Sequence, residues 1–340
     1  MPIDAPRIGI VGASGAVGSE ALSILADRGY PSDSIVCFGS ERSAGTTIEY
    51  THEQLEIQTT QSIAEHRLDY AILCADAGVA RLVEEQLRST PTTIIDNSSA
   101  FRMVDSVPLV IPEINAHLLS HDSRLIANPN CSTIMMLRAL DPIRNALGIR
   151  SVIATTYQAV SGAGREGIQE LHDQTRARLE SQPHPTIIFP VSCAFNVFEH
   201  ESAIDPETGF NGEETKMILE SRKIWQSPDL NVLPSCVRVP VERAHAQSLV
   251  VDLEKPTNEH EIRTILRQQS IRVLEPGTIL TPHDATGGDD VIVGRIRIDP
   301  ASASTRVLLW ICCDQIRKGA ALNAIQIMEH LISLRTEVRV

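Results

Sequence analysis

Aromatic residues make up only 4% of this 340-residue chain, too few for a base-stacking platform. Positive charge is also short. Thirty Lys and Arg against 43 Asp and Glu leave a net charge of -13, the opposite of a broad nucleic-acid footprint. An anionic small molecule stays within reach if a few cations are placed locally against that field. No apolar run approaches the roughly 20 residues that a membrane-spanning helix needs, so no membrane partner is expected. The start, MPIDAPRIGI, lacks the basic flank, apolar stretch and small-residue cleavage site of a secretion signal, and a cytoplasmic location is expected. The seven cysteines are odd in number, show no C-x-x-C spacing and have no histidine cluster beside them. That pattern argues against a disulfide framework and against a metal site.

At this length two domains are expected. The first part alternates strand and helix patterns. Residues 7–12 (RIGIVG), 34–39, 69–75 and 92–96 read as strands, and 16–28 and 79–89 as helices. That alternation predicts an α/β, Rossmann-type parallel sheet. After an irregular stretch, 97–130, and a helix pattern over 131–147, the texture changes. Long β-branched strands at 151–157, 232–241, 247–254 and 305–313 predict an α+β domain with a mostly antiparallel sheet. The last helix, from 317, carries a long apolar stripe that needs a surface to pack on. We therefore expect a Rossmann-type domain over 1–129, completed by 317–340, and a second domain over 130–316.

Between the first strand and first helix lies Gly12-Ala-Ser14-Gly15-Ala16-Val17-Gly18. A pyrophosphate at this turn needs close backbone approach and unobstructed helix N-terminal amides, and glycine permits both. Ser14 can add a hydroxyl donor. The spacing G-x-x-G-x-x-G is looser than the commoner fingerprint, so an ordinary βα turn is the bland reading. Its place in the first βαβ unit favours a nucleotide. The second strand ends in Ser40-Glu41-Arg42-Ser43. Glu41 keeps NAD open through the ribose hydroxyls. Arg42 between two hydroxyls suits the ribose phosphate of NADP, the expected cofactor, and a solvated polar loop is the alternative reading of these four residues.

Asn128-Pro129-Asn130-Cys131-Ser132-Thr133 precedes the helix pattern. Asn130 is a good N-cap, which would place Cys131 in the first turn, where the helix dipole favours a thiolate nucleophile. A buried structural cysteine is the commoner fate of such a residue. A thiolate beside a nicotinamide suits hydride transfer at a carbon held as a thioester or thiohemiacetal.

Seven segments together resemble the motifs of the aspartate-semialdehyde dehydrogenase family: Gly12–Gly18, Ser40–Gly45, Asp96–Arg102, Asn128–Thr133, Tyr157–Gly164, Arg238–His245 and Arg317–Asn323. They run in order over nearly the whole chain. The resemblance implies that Cys131 is the nucleophile, that Gln158 orients the thioester and that His245 exchanges the proton. It implies that Arg238 holds the substrate α-carboxylate, that Arg102 and Lys216 hold the phosphate with Asn130 shaping that site, and that Glu213 meets the substrate amine. Ser161 and Gly162 would form a loop near the nicotinamide. The family's usual Asp-Asn before Lys-Gly-Ala-Ala is Asp314-Gln315 here, so Gln315 would offer the amide groups to the cofactor on a longer arm.

The resemblance implies the NADP-dependent, reversible reduction of 4-phospho-L-aspartate to L-aspartate 4-semialdehyde, in lysine, methionine and threonine biosynthesis, by a homodimer in which residues 130–316 form the catalytic and dimerisation domain. The rivals are an N-acetyl-glutamyl-phosphate reductase-like enzyme, against which a Glu213 placed for a primary ammonium speaks, and an inactive NADP-binding paralogue, which would have no use for Cys131 and His245.

Overall fold

The computed structural model describes residues 5–337. The chain divides into two compact units, Met1–Pro129 with Ala320–Val340, and Asn130–Gly319.

In the first unit the strands are β1 (Ile8–Val11), β2 (Ile35–Gly39), β3 (Thr47–Tyr50), β4 (Glu53–Thr59), β5 (Tyr70–Leu73), β6 (Thr93–Asp96) and β7 (Leu125–Ala127). They form one sheet in the order β3-β4-β2-β1-β5-β6-β7, parallel except for the β3–β4 hairpin. Helices α1 (Ala16–Asp27), α2 (Ala77–Leu87) and the short α3 (Pro112–Asn115) follow β1, β5 and β6. Every residue of β1, β2, β5 and β6 is buried, as strands covered on both faces require. Alternate side chains divide between the faces. Ile8, Ile10 and Ile72 pack with Ile24 and Leu25 of α1 and with Ile325 and Met328 near the C-terminus. Val11, Ala71 and Leu73 pack with Val83 and Leu87 of α2. The apolar stripe of the last helix is therefore part of this core. Regular α-helix there begins at Leu322, not at 317, because Arg317–Ala321 form a π-helical turn.

The second unit opens with α4 (Cys131–Leu147), followed by β8 (Ile149–Gln158), α5 (Gly164–Leu179), β9 (Phe198–Glu199), α6 (Gly212–Ile224), β10 (Asn231–Arg238), β11 (His245–Leu253), α7 (Glu259–Gln268), β12 (Arg272–Val273), α8 (Pro282–Ala285), β13 (Val291–Ile298) and β14 (Arg306–Cys313). The last helix of the chain, in the first unit, is α9 (Leu322–Glu337). The second sheet runs β12-β13-β14-β11-β8-β10-β9. It is antiparallel except for the β8–β10 and β12–β13 pairs. Helix α4 is buried along most of its length, with Ile134, Met135, Met136, Leu137 and Leu140 fully enclosed. Val152, Ala154, Thr156 and Gln158 of β8 and Val232, Cys236 and Arg238 of β10 are buried, while the alternate residues Ile153 and Leu233, paired across the strands, are exposed. Among the described residues no helix is long and apolar enough to cross a membrane, and no group of three or more His, Cys, Asp or Glu could hold a metal ion.

Candidate active site

Helix α4 starts as an N-capped helix should. Asn130 Oδ1 accepts hydrogen bonds from Ser132 N (2.9 Å) and Thr133 N (3.2 Å), which leaves Cys131 as the first helical residue. The cap is itself held. Asn130 N donates to Glu220 Oε2 at 2.6 Å, and Asn130 Nδ2 donates to Glu213 Oε1 at 2.9 Å. Cys131 and Cys74 are partly buried, whereas Cys37, Cys236 and Cys312 are buried, and burial pushes the thiols of those three up to about 12. Gly319 backs Cys131. A Cβ added there would sit 2.9 Å from Cys131 Cβ, so any larger residue would displace the thiol's own backbone or the turn.

Glu213 lies in the first turn of α6, where an Asn211–Glu214 capping box sets the helix start. Its Oε1 also accepts from Gln158 Nε2 (3.2 Å), and its Oε2 from Lys216 Nζ (3.2 Å). Burial opposes its ionisation, but the Lys216 charge, with His200 and the Asn130 amide, holds the carboxyl at about 2. Gln158, at the end of β8, donates in addition to Ser132 Oγ at 3.1 Å. Its amide donors therefore tie the Glu213 carboxylate to the start of α4.

His245 opens β11 and is fully enclosed. Its Nδ1 accepts from Ala159 N at 3.0 Å, which puts the neutral ring's proton on Nε2, and Nε2 is buried with no partner among the described residues. Burial, aided by the Arg238 charge, lowers its pKa to about 3. Arg238, at the end of β10, is likewise buried and donates through Nη1 to Ala159 O at 3.2 Å. A Cβ on Gly162 would lie 2.6 Å from Arg238 Nη1 and 3.6 Å from His245 Cε1, so Arg238, His245 and Gly162 converge. Gln315 Nε2 donates to Ser161 Oγ, and Gln315 Oε1 accepts from Ala244 N (2.9 Å). Gln315 thereby pins the loop before His245 to the loop after β8. In the second unit, then, Asn130, Cys131, Gln158, Ser161, Gly162, Glu213, Lys216, Arg238, His245 and Gln315 form one linked set.

Arg102 belongs to the first unit. It is buried, with Nε on Asn128 O (2.9 Å) and Nη2 on Asn97 O (2.7 Å). There the glycine turn lies where the sheet changes direction, since β1 pairs with β2 on one side and β5 on the other. Gly12 has φ +81° and a Cβ there would meet Cys74 O at 2.6 Å, while one on Gly18 would meet Gly12 O at 2.2 Å. Gly12, Ser14, Gly15, Ser40, Arg42 and Ser43 line a cavity of about 430 Å³. Ala16, Val17 and Gly18 are not among its lining residues and fall in the first turn of α1. Glu41 is also absent from the lining and accepts instead from Gln61 Nε2 at 3.0 Å.

Sequence reasoning missed several residues. Thr60, Cys74, Ala75, Asp76 and Val79, with Val11 and Gly39 at the strand ends, complete the cavity wall. The carboxyl end of β5, a strand legible in the sequence, was the available signal for Cys74–Asp76. Glu220, His200 and Glu201 had no motif to mark them.

The comparisons with known proteins agree with this architecture. Residues 7–121 match the semialdehyde dehydrogenase NAD binding domain, and residues 140–318 match the semialdehyde dehydrogenase dimerisation domain. Aspartate-semialdehyde dehydrogenase of Synechocystis sp. is 41% identical over 330 residues, covering 96% of this chain and 97% of that one. The chain belongs to the aspartate-semialdehyde dehydrogenase family. The aspartate-semialdehyde dehydrogenase of Bacillus subtilis is 38% identical over 340 residues, 96% of this chain and 98% of its own. Among solved structures, aspartate semialdehyde dehydrogenase II from Vibrio cholerae, complexed with ASA, has a TM-score of 0.90 at 36% identity, covering 96% of this chain and 98% of that one. This member of the aspartate-semialdehyde dehydrogenase family is an oxidoreductase with a Rossmann-type nucleotide-binding domain and a dimerisation domain.

Proposed function

We propose that the chain catalyses the NADP-dependent, reversible reductive dephosphorylation of 4-phospho-L-aspartate to L-aspartate 4-semialdehyde through a thioester on Cys131. The observation that carries this reading is the single linked set around one N-capped cysteine: an ionised Glu213, an enclosed Arg238 and a His245 with its proton on Nε2. Cys131 sulfur attacks the acyl carbon, the C–S bond forms and the C–O bond to phosphate breaks. NADP, when bound, supplies the hydride chemistry at that carbon. His245 Nε2–H donates a hydrogen bond to the oxygen that was the carbonyl and shares its proton with the oxyanion; as the proton returns to Nε2 the C=O bond re-forms and the C–S bond breaks, releasing the aldehyde and the Cys131 thiolate. Arg238 binds the α-carboxylate, Glu213 the ammonium, and Arg102 and Lys216 the phosphate.

For the cofactor, the cavity at the glycine turn supports a nucleotide, and Arg42 on its wall with Glu41 turned to Gln61 supports NADP over NAD. A homodimer is supported by the matched dimerisation domain and by the exposed Ile153–Leu233 pair on the sheet face away from α4. We place the enzyme in the cytoplasm, in the route to lysine, methionine and threonine. The deciding experiment compares L-aspartate 4-semialdehyde with N-acetyl-L-glutamate 5-semialdehyde. A higher kcat/KM on the latter would overturn the substrate assignment, and a sedimentation monomer at working concentration would overturn the dimer.

A further inference from the structure

Arg238 is already holding a carboxylate. Its Nε donates to Glu201 Oε2 at 3.0 Å and its Nη2 to Glu201 Oε1 at 2.6 Å, the parallel two-bond contact by which a guanidinium grips a carboxylate. The second Nη2 proton faces His200 Nε2 at 3.0 Å. Arginine only donates, so this contact is a hydrogen bond when His200 Nε2 accepts; the other ring nitrogen, Nδ1, faces Ser202 Oγ at 3.1 Å and the Ser202 backbone amide at 3.2 Å. Burial lowers the His200 pKa, in keeping with a neutral ring beside a guanidinium. One Nη1 proton goes to Ala159 O. Of the five N–H donors of an arginine, a single one, on Nη1, is left without a partner among the described residues, and Nη1 is the atom on the Gly162 and His245 side.

The two partners differ in how firmly they are held. Arg238 is 4% exposed, ends a strand paired on both sides and lies with Cζ 5.6 Å from the centre of the Phe189 ring. Glu201 is 23% exposed and lies in the irregular segment after β9. Among the charged groups of the described residues it has, beyond Arg238, only a long 4.0 Å approach to His200. The arginine is the anchor and the glutamate is the arm that can leave.

We propose that Glu201 is a specificity-determining residue that competes with the substrate carboxylate for the Nε–Nη2 edge of Arg238. This rests on the reading of Arg238 as the α-carboxylate site. A ligand carboxylate either takes the single remaining Nη1 donor or displaces Glu201 from the better, two-donor edge. Either way the intramolecular carboxylate raises the concentration at which a carboxylate ligand fills the site, and a ligand without that group escapes the competition.

The test uses the full-length enzyme with Glu201→Gln, Glu201→Leu and Arg238→Ala. The readouts are KM for L-aspartate 4-semialdehyde and the inhibition constant of L-2-aminobutyrate, an unreactive amine with the same α-carboxylate. Competition predicts that both constants fall in Glu201→Leu, by on the order of tenfold, and by less in Glu201→Gln, which keeps an acceptor for Arg238. A glutamate that merely braces the guanidinium would give the opposite sign, so constants that rise or stay unchanged in both folded variants overturn the proposal. Unfolding of Glu201→Leu in a thermal melt leaves the decision to the near-isosteric Glu201→Gln. The parent reading is separated by Arg238→Ala. If that variant does not weaken L-2-aminobutyrate, the carboxylate role of Arg238 is overturned and the competition with it. If it does while the Glu201 variants change nothing, only the competition is overturned.

Discussion

The Ala159 backbone amide donates to His245 Nδ1 at 3.0 Å, so the ring can exchange a proton only through Nε2. A neutral ring with Nδ1 so occupied enters the reaction as a donor to the developing oxyanion. His245→Ala should lower kcat by roughly 10²–10⁴-fold, the range for a lost acid/base group. His245→Gln, whose side-chain amide can present an N–H, should recover part of that loss. Equal kcat for the two variants would remove the donor role.

Acid should destabilise the fold through two buried groups acting in the same direction. His245 is held at about 3, below its unfolded value of about 6.5, so the unfolded chain binds the extra proton first and stability falls as pH drops from about 6.5 towards 3. Glu213 is held at about 2, so its stabilisation is present above about 4.5 and is lost as pH falls through that range towards 2. Urea midpoints measured from pH 7 to pH 4 should therefore decline, and the decline between pH 6.5 and 5 should be shallower in His245→Asn. The same slope in both proteins would show that another group carries it.

Much of the fold is legible from period and punctuation. The buried strands β1, β2, β5 and β6 are short, largely apolar runs, and α1 and α4 start beside the glycine turn and the Asn130 cap. The β3–β4 hairpin escaped because Thr47–Thr59 is largely polar and exposed at the sheet edge. In the second unit Asn130 and Cys131 were legible from the capped helix start, and the rest of the linked set only through family motifs. Cys131 and Glu213 stand 82 positions apart, and β-pairing and helix packing, not local pattern, bring their neighbours together. Glu220 and Glu201 show the limit. Each is an ordinary acid in sequence, and its role comes from the partner that tertiary structure sets against it.

Gly319 tests the packing behind the nucleophile. Because an added Cβ would lie 2.9 Å from Cys131 Cβ and 3.4 Å from Gln315 Cβ, Gly319→Ala should move the first turn of α4. A shift of about 1 Å in a reacting group can cost on the order of 10²-fold in rate. We expect kcat to fall by about that factor with the cofactor dissociation constant unchanged. Wild-type kcat in a folded Gly319→Ala enzyme would show that the turn yields without moving the sulfur.

Arg42 should decide between the two dinucleotides. It is exposed on the wall of the cavity at the glycine turn, between Ser40 and Ser43, whose hydroxyls lie 3.3 Å apart. Loss of a charge-assisted bond to a ribose phosphate should weaken NADP by roughly 10–100-fold in Arg42→Ala and leave NAD nearly unchanged. Dissociation constants by titration check this directly. Equal weakening of both cofactors would remove Arg42 from the choice.

Cys131 is the strongest test of the covalent route. Its backbone lies in the first turn of α4, where the helix amides favour negative charge, and Asn130 caps that turn while Glu213 and Glu220 hold the cap. Two carboxylates beside the helix start would by themselves oppose a thiolate. However, Glu213 shares its charge with Lys216 Nζ, and both acids spend oxygens on Asn130 donors, so the helix amides remain directed at the first turn. Cys131→Ala should abolish turnover while NADP binding stays intact. Cys131→Ser keeps a smaller, poorly ionised nucleophile and should retain at most a trace of activity. Mass spectrometry of wild-type enzyme quenched with the acyl phosphate and no reduced cofactor should find a thioester adduct on the peptide carrying Cys131, and none on Cys131→Ala. Turnover of the acyl phosphate by Cys131→Ala at a rate comparable to wild type would end the covalent mechanism, whatever the adduct experiment found.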